Sequence, residues 1–386
     1  MLWLIPDGDL TPEQQDAIMA PCDSDLLITG GPGAGKTLIL LYRLRFLLEK
    51  YPDKKFIFLV YTKSLKYFMQ SSFENLGISF DMLIFTFDKW CIDFYEKEIK
   101  EKIPRKDDAP NFEEIRKKVH EHLKNKKNKE QLYDFAFIDE AQDFSSRDLE
   151  TFKLLAKHRT IALDIKQQLY SKEQFTNDQV TNKGAYKKFL LKDFRCTNFV
   201  TKLASYFIGD EKERNNFVSQ QSNCTLGKKP TVYFAPSHEQ EQEFIAQQIK
   251  TPLTEGKSIA ILLPNHRLIH GYQEAFKKLG LEVSLLAKRK DPPIDFNDGS
   301  PKILTYHQAK GLTFDIVFMP RLDLKAFRSN NKDEILVELF VGCSRAVEWV
   351  CLSSYQKTNG EFDWIGPIAK LLKENKSLEL IQEVAP

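Results

Sequence analysis

No Cys-x-x-Cys pair occurs among the six cysteines, Cys22, Cys91, Cys196, Cys224, Cys343 and Cys351. The spacing of a zinc ribbon is therefore missing, and so is a secreted disulfide framework. Long apolar runs are missing too. The most apolar stretch, Leu38 to Leu48, is interrupted by Arg43 and Arg45. Met1 to Pro6 is too short for the apolar region of a signal peptide and has no basic residues before it. These absences read as a cytoplasmic protein with buried, reduced thiols and no membrane partner. An excess of one charge is also lacking: 56 Lys and Arg against 54 Asp and Glu leave +2. Any nucleic-acid surface has to come from local patterning and not from the field of the whole molecule. No internal repeat with a period of roughly 20 to 50 residues is visible, which sets solenoids and propellers aside.

What is present is the composition of a folded globular protein, 42% hydrophobic and 28% charged over 386 residues. At roughly 150 residues per domain that length predicts two or three domains. The first half alternates short apolar runs with helical patterns, as a parallel α/β sheet requires. Leu26 to Thr29, Lys55 to Tyr61, Met82 to Phe85, Phe135 to Ile138 and Thr160 to Leu163 read as buried strands. Between Trp90 and Tyr133 the chain turns Lys/Glu-rich and helical, broken at Pro104 and Pro110, and reads as an insertion. Between Lys97 and Lys129 it holds 12 Lys or Arg against 7 acids, the one marked basic surplus. A second α/β set follows, with strands expected at Thr231 to Phe234, Ser258 to Leu263, Lys302 to Thr305, Ile316 to Met319 and Trp349 to Ser353. The two sets are expected to meet near Ser171 to Phe189, giving domains 1–189, with a helical insertion at about 91–132, and 190–386.

Chemistry is concentrated in two places. Gly30-Gly31-Pro32-Gly33-Ala34-Gly35-Lys36-Thr37 matches G-x-x-x-x-G-K-[ST], after a strand and before a helix. Its backbone N–H groups and helix dipole suit phosphate oxygens, Lys36 suits the β/γ-phosphates and Thr37 offers a hydroxyl to Mg²⁺. Such a loop needs a second carboxylate for the metal and a group to orient the attacking water. Phe135-Ala136-Phe137-Ile138-Asp139-Glu140 supplies both at the end of an apolar strand. Because neighbouring strand residues face opposite sides, Asp139 is expected to serve the metal and Glu140 the water.

Taken together with further segments, these motifs resemble a superfamily 1 helicase of the UvrD/Rep type. Leu10-Thr11-Pro12-Glu13-Gln14 is similar to the family's adenine-reading segment, which makes Gln14 the candidate reader and Gln15 the alternative. Leu59-Val60-Tyr61-Thr62 and Phe85-Thr86-Phe87-Asp88-Lys89-Trp90 resemble segments that touch single-stranded nucleic acid, which puts Tyr61, Thr62 and Trp90 on that path. Core packing is the other reading for each of these aromatics, and Phe87 is read as core. Ala162-Leu163-Asp164-Ile165-Lys166-Gln167-Gln168-Leu169-Tyr170 implies Gln167 as a γ-phosphate sensor and Tyr170 as a stacking ring. In the second half, Leu190-Leu191-Lys192-Asp193-Phe194-Arg195 implies that Phe194 stacks on adenine and Arg195 meets the γ-phosphate. Thr305-Tyr306-His307-Gln308-Ala309-Lys310-Gly311-Leu312 is close to T-x-H-x-A-K-G-L and adds Thr305 and His307 to the nucleic-acid path. Val341-Gly342-Cys343-Ser344-Arg345-Ala346 is close to V-A-x-T-R-A, whose arginine, here Arg345, is a second finger.

The resemblance implies two RecA-like domains, ATP and Mg²⁺ as cofactors, single-stranded DNA as the partner and movement from 3′ to 5′. Departures accompany it. Ser171 is followed by Lys172-Glu173-Gln174 where the family has a tryptophan, Leu38 and Asp193 replace an arginine and an asparagine, and Thr313 replaces a glutamate. Only the stretch from about Leu281 to Lys302 stands where the family inserts its 2B subdomain, so that subdomain is expected to be absent or a loop. Poor unwinding of long duplexes is expected from these changes. Two alternatives stay open: an RNA-directed or duplex-translocating motor of the same superfamily, and an ATP-switched subunit that signals to a protein partner in a repair or defence complex without separating strands.

Overall fold

A computed structural model describes residues 10–31, 33–78, 83–126, 130–164, 180–181, 184–190, 196–219, 227–286, 294–327, 331–355 and 363–385. The chain divides into two compact units between Leu191 and Lys192; the sequence placed that division between residues 189 and 190.

The first unit is built on six parallel strands. In chain order the elements are helix α1 (Pro12–Ile18), strand β1 (Leu26–Gly30), α2 (Lys36–Lys50), β2 (Phe56–Val60), α3 (Lys63–Asn75), β3 (Ile84–Thr86) and α4 (Phe87–Phe94). There follow the short strands β4 (Arg105–Lys106) and β5 (Ala109–Pro110), α5 (Phe112–Asn125), β6 (Tyr133–Ile138), α6 (Ser146–Leu155), β7 (Ala156–Leu163) and β8 (Tyr186–Leu190). The sheet order is β3-β2-β6-β7-β1-β8. Val, Ile, Leu and Phe fill the central strands, and β2 is buried along its whole length, as strands covered on both faces must be.

Most expected strands form within a residue or two of their expected ends; Met82, the expected start of β3, lies outside the described residues. Strand β8 is a correction. Its stretch was read as the joint between domains, yet it pairs with β1 from Leu26↔Tyr186 to Gly30↔Leu190. An edge strand needs only one apolar neighbour, so Lys187 and Lys188 are tolerated there.

The insertion does not stand apart from its domain. After α4 the chain makes a π-helical turn, Tyr95–Ile99, then the β4–β5 hairpin, then α5. Helix α5 presents Ile115, Val119 and Leu123 to the same core that holds Ile57, Leu59, Ala136 and Ile138. Its polar face stays in solvent, which accounts for the Lys/Glu content.

The second unit carries seven parallel strands in the order β11-β12-β10-β13-β14-β9-β15. They are β9 (Thr231–Ala235), β10 (Ile259–Leu263), β11 (Ser284–Leu285), β12 (Lys302–Thr305), β13 (Phe314–Met319), β14 (Ala346–Tyr355) and β15 (Gln382–Val384). The helix His266–Lys278 packs Ile269, Tyr272 and Phe276 over β10 and β12, and Phe318 meets Trp349 edge to face at 5.6 Å. The short strands at the two edges, β11 and β15, carried no apolar run and were not expected. Among the described residues no helix is long and apolar enough to cross a membrane.

Candidate nucleotide and nucleic-acid site

In the first unit the loop after β1 turns sharply enough to need Gly33 and Gly35 at φ 85° and 84°, a region that side chains with a Cβ avoid. Gly35 caps α2. A Cβ there would also lie 2.7 Å from Gln14 Nε2, so the loop and the amide of Gln14 pack directly. Lys36 opens the helix and is 6% exposed; its Nζ donates to the carbonyls of Gly30 at 3.0 Å and Gly31 at 2.8 Å and pairs with Asp164 at 3.4 Å. The cation is thus folded over the mouth of its own loop. Ala34 is buried, and Pro32 lies outside the described residues.

Strand β7 separates β1 from β6, which sets the two strands about 10 Å apart. Thr37 spans the gap: its hydroxyl donates to Asp139 Oδ2 at 2.8 Å. Asp139 is fully buried, and its Oδ1 accepts the Glu140 N–H at 2.9 Å. Burial first, and then the Glu140 carboxylate, push its pKa up to about 7, against the pull of Thr37, the Glu140 N–H and Lys36. A buried carboxylate destabilised in its charged form is a donor that a divalent cation would relieve, and a hydroxyl oxygen lies beside it. Mg²⁺ takes about six oxygens; Thr37 and Asp139 fit as two of them, leaving the rest to phosphate and water.

Strand alternation, expected to set Asp139 and Glu140 on opposite faces, does not apply to this pair. Strand β6 ends at Ile138, and Glu140 sits at φ 51°, ψ 48°. This left-handed conformation is unfavourable for a residue with a side chain, and it takes the chain out of the strand and into the turn Ala141–Asp143. Gln142 donates its amide to Glu140 Oε2 and accepts the Asp164 N–H at 3.0 Å. Sequence reasoning gave roles to neither Gln142 nor Asp164. Their signal was their place beside Glu140 and inside the Ala162–Tyr170 segment, and its force appears only when β6 and β7 lie side by side.

Gln14 and Gln15 part company in the fold. Gln14 is 4% exposed, and it exchanges hydrogen bonds with Thr11: the Thr11 N–H donates to Oε1 at 3.0 Å and the Gln14 N–H to Thr11 Oγ1 at 3.2 Å. This capping box fixes the side chain. Gln15 is exposed and donates to the Leu10 carbonyl at 3.1 Å, so Gln14 is the one that faces the phosphate loop.

Tyr61 and Thr62 follow β2 at the sheet edge that carries the phosphate loop and Asp139. The Tyr61 ring is half-buried, edge-on to Phe144 at 5.4 Å, with the Arg116 guanidinium 5.9 Å from its centre. Thr62 caps α3, accepting the Leu65 N–H at 3.1 Å. Trp90 is corrected. It is 5% exposed, stacked between Phe87 and Phe94 at 6.2 and 5.1 Å, and its Nε1–H donates to Tyr133 Oη at 3.0 Å. Its faces and its donor are engaged inside the domain, which makes it core, as Phe87 is.

In the second unit Thr305 ends β12 and is 5% exposed; its hydroxyl accepts the Gln308 N–H at 3.2 Å. It shapes a turn and is not open along a path, a correction to its expected role, whereas His307 two residues on is exposed. Surrounding protein bulk, then Lys310 and His266, hold the His307 imidazole below its ordinary pKa. Arg345 is 5% exposed and donates to the carbonyls of Val341 at 3.2 Å and Leu312 at 3.3 Å and to Ser344 Oγ at 3.1 Å. It ties the end of the helix Lys332–Cys343 to the turn before β13. Gln167, Tyr170, Phe194 and Arg195 lie outside the described residues.

Comparisons with known proteins bear on this geometry. The family described as the UvrD/REP helicase N-terminal domain matches residues 10–132, and the UvrD-like helicase C-terminal domain matches residues 189–291. Together they span more than half of the chain. No curated protein is a match. Among solved structures, the C-terminal domain of a possible DNA helicase from Lactobacillus plantarum WCFS1 is similar at 18% identity and a TM-score of 0.36, over 49% of this chain and 98% of that one. Asp139 and Arg345 fall outside both matched spans, so the pairing of Thr37 with Asp139 is an independent observation. With the phosphate loop and both domain matches in one chain, the protein belongs to the UvrD/Rep-type helicases of superfamily 1, which are ATP-hydrolysing DNA helicases.

Proposed function

We propose that the chain is a small Mg²⁺- and ATP-dependent motor that moves from 3′ to 5′ along single-stranded DNA and separates long duplexes poorly by itself. The observation that carries the reading is the 2.8 Å bond between Thr37 and Asp139 at the mouth of the phosphate loop, with Glu140 next to it in the following turn. Lys36 exchanges its loop carbonyls for the β/γ-phosphates. Thr37 and Asp139 hold the cation, which when bound screens the charge of the phosphate oxygens. Glu140, kept in place by Gln142, orients the attacking water and takes its proton, and Gln167 senses the γ-phosphate. By resemblance, Arg195 and Arg345 stabilise the charge that spreads over the transferring phosphoryl group. Gln14 reads adenine and Phe194 stacks on it. Tyr61, Thr62, Tyr170 and His307 are placed along the strand.

Direction rests on family resemblance. Weak unwinding rests on Lys172 in place of a tryptophan, on the compact insertion and on the short Leu281–Lys302 stretch, which leave little surface for a duplex. The same departures favour a second reading, an ATP-switched subunit of a repair or defence complex. One set of ATPase assays decides. Stimulation by single-stranded DNA alone supports the motor, stimulation by RNA alone moves it to the RNA-directed class, and stimulation by neither supports the partner-gated switch. Reporters blocked at each end of the strand test direction: release from the 5′ end is expected, and release only from the 3′ end refutes it.

A further inference from the structure

In the sequence Arg43 is only a charge that interrupts the apolar run of α2. In the fold it is 1% exposed and heads the fully buried side chains by size. Its Nη1 donates to the carbonyls of Ile18 at 2.8 Å and Ala20 at 2.9 Å, its Nη2 to the carbonyl of Pro21 at 2.8 Å, and its Nε to Thr160 Oγ1 at 3.2 Å. A buried guanidinium is costly unless its donors are matched, and here four bonds reach three elements. The three carbonyls belong to the end of α1 and the turn behind it, where a helix has no donors of its own to offer. With seven residues α1 is too short to hold itself in place.

The position of Arg43 on α2 gives this clamp a consequence. Lys36 and Thr37 stand at the first turn of the helix, and Arg43 follows Lys36 by seven residues, about 10 Å along the axis. One rigid helix therefore carries the phosphate-binding groups at its start and, through Arg43, the far end of α1. The near end of α1 holds Gln14 against Gly35. We propose that Arg43 is a positioning residue for base selection: by fastening α1 to α2 it sets the distance between Gln14 and the phosphate loop, and so the preference for adenine. The proposal rests on the reading of Gln14 as the adenine reader. Lysine cannot substitute, since an ammonium is a point donor and cannot hold three carbonyls in a planar fork.

The test uses the full chain with Gln14→Ala, Arg43→Lys and the double variant. The readouts are kcat and KM for ATP and GTP, and binding of inorganic tripolyphosphate, which has no base. Gln14→Ala is expected to lower the ATP-over-GTP preference in kcat/KM about 10-fold, the scale of lost hydrogen bonds. Arg43→Lys is expected to lower it by a similar factor through KM, leaving kcat at saturating ATP and tripolyphosphate binding near wild type. The double variant should be no less selective than Gln14→Ala, because both act on one contact. If Arg43→Lys keeps the wild-type preference while Gln14→Ala loses it, Arg43 is structural only and the proposal is overturned. If Gln14→Ala itself keeps the preference, the adenine reading falls and the proposal with it. Should Arg43→Lys fail to bind tripolyphosphate, Thr160→Val decides, since it keeps the guanidinium and frees one corner of the clamp. A preference lowered about threefold is expected there, and an unchanged one overturns the proposal.

Discussion

Asp139 is a carboxyl shut off from solvent, and its surroundings make its charge a liability. With a pKa raised from 3.8 to about 7, the group contributes stability that is fully present below the unfolded value and lost as pH rises through about 7. Free of nucleotide, the protein should therefore lose stability from about pH 4 to about pH 7. Asp139→Asn should remove that part of the slope and raise Tm at pH 8 by at least ~2 °C, with little difference from wild type at pH 4, as thermal melts at the three pH values would show. A variant that melted lower at pH 8 would mean that the Asp139 charge is stabilised by groups other than those around it here. The price of this poise is turnover: Asp139→Asn should abolish Mg²⁺-dependent hydrolysis. Glu140→Gln should bind ATP within a few-fold of wild type and hydrolyse it ~10²- to 10⁴-fold more slowly, because it removes a proton acceptor and no ligand. Equilibrium binding beside single-turnover rates separates the two residues, and lost binding in Glu140→Gln would reverse their roles.

Elements, more than residues, explain what was readable beforehand. The phosphate loop was legible because its function is carried by local backbone geometry, which eight consecutive letters specify. The central strands were legible because burial on both faces leaves an unbroken apolar run. Trp90 was misplaced because an aromatic near the end of a strand has the same letter whether it meets a base or a core, and only α5, closing over α4, decides between them. Arg43 was passed over for the same reason: three of its four partners are main-chain carbonyls, which have no letter. The element-scale prediction concerns Trp90. Truncation to alanine should destabilise the first unit by ~3 to 5 kcal/mol, as large-to-small core changes do. Trp90→Phe, which keeps an aromatic ring between Phe87 and Phe94 and loses ring volume and the bond to Tyr133, should cost less, about 1 to 3 kcal/mol, and leave DNA-stimulated ATPase at the wild-type level. Loss of stimulation in a stable Trp90→Phe variant would return this residue to the nucleic-acid path.

Across the whole molecule a charge of +2 leaves no long-range field to gather DNA, so affinity must come from short contacts placed along the strand. These are of two kinds that salt tells apart. Each neutralised phosphate contributes about −0.7 to the slope of log K against log salt on single strands, whereas base stacking is worth ~1 to 3 kcal/mol per base and contributes little to that slope. Under the proposed function Tyr61 is of the second kind: its ring is braced edge-on by Phe144 and backed by Arg116, whose charge is already paired with Asp88 and Asp148 at 2.7 and 2.9 Å. Tyr61→Ala should weaken single-stranded DNA binding about 5- to 100-fold while leaving the salt slope as it is. Arg116→Ala should weaken binding less, through a loosened Tyr61, and should also leave the slope unchanged, because a guanidinium held by two carboxylates has no charge left for a phosphate. Titrations from low to moderate salt with a labelled oligonucleotide measure both quantities at once. A slope that fell by about 0.7 in Arg116→Ala would put that residue on the backbone of the strand and take the stacking role away from the pair.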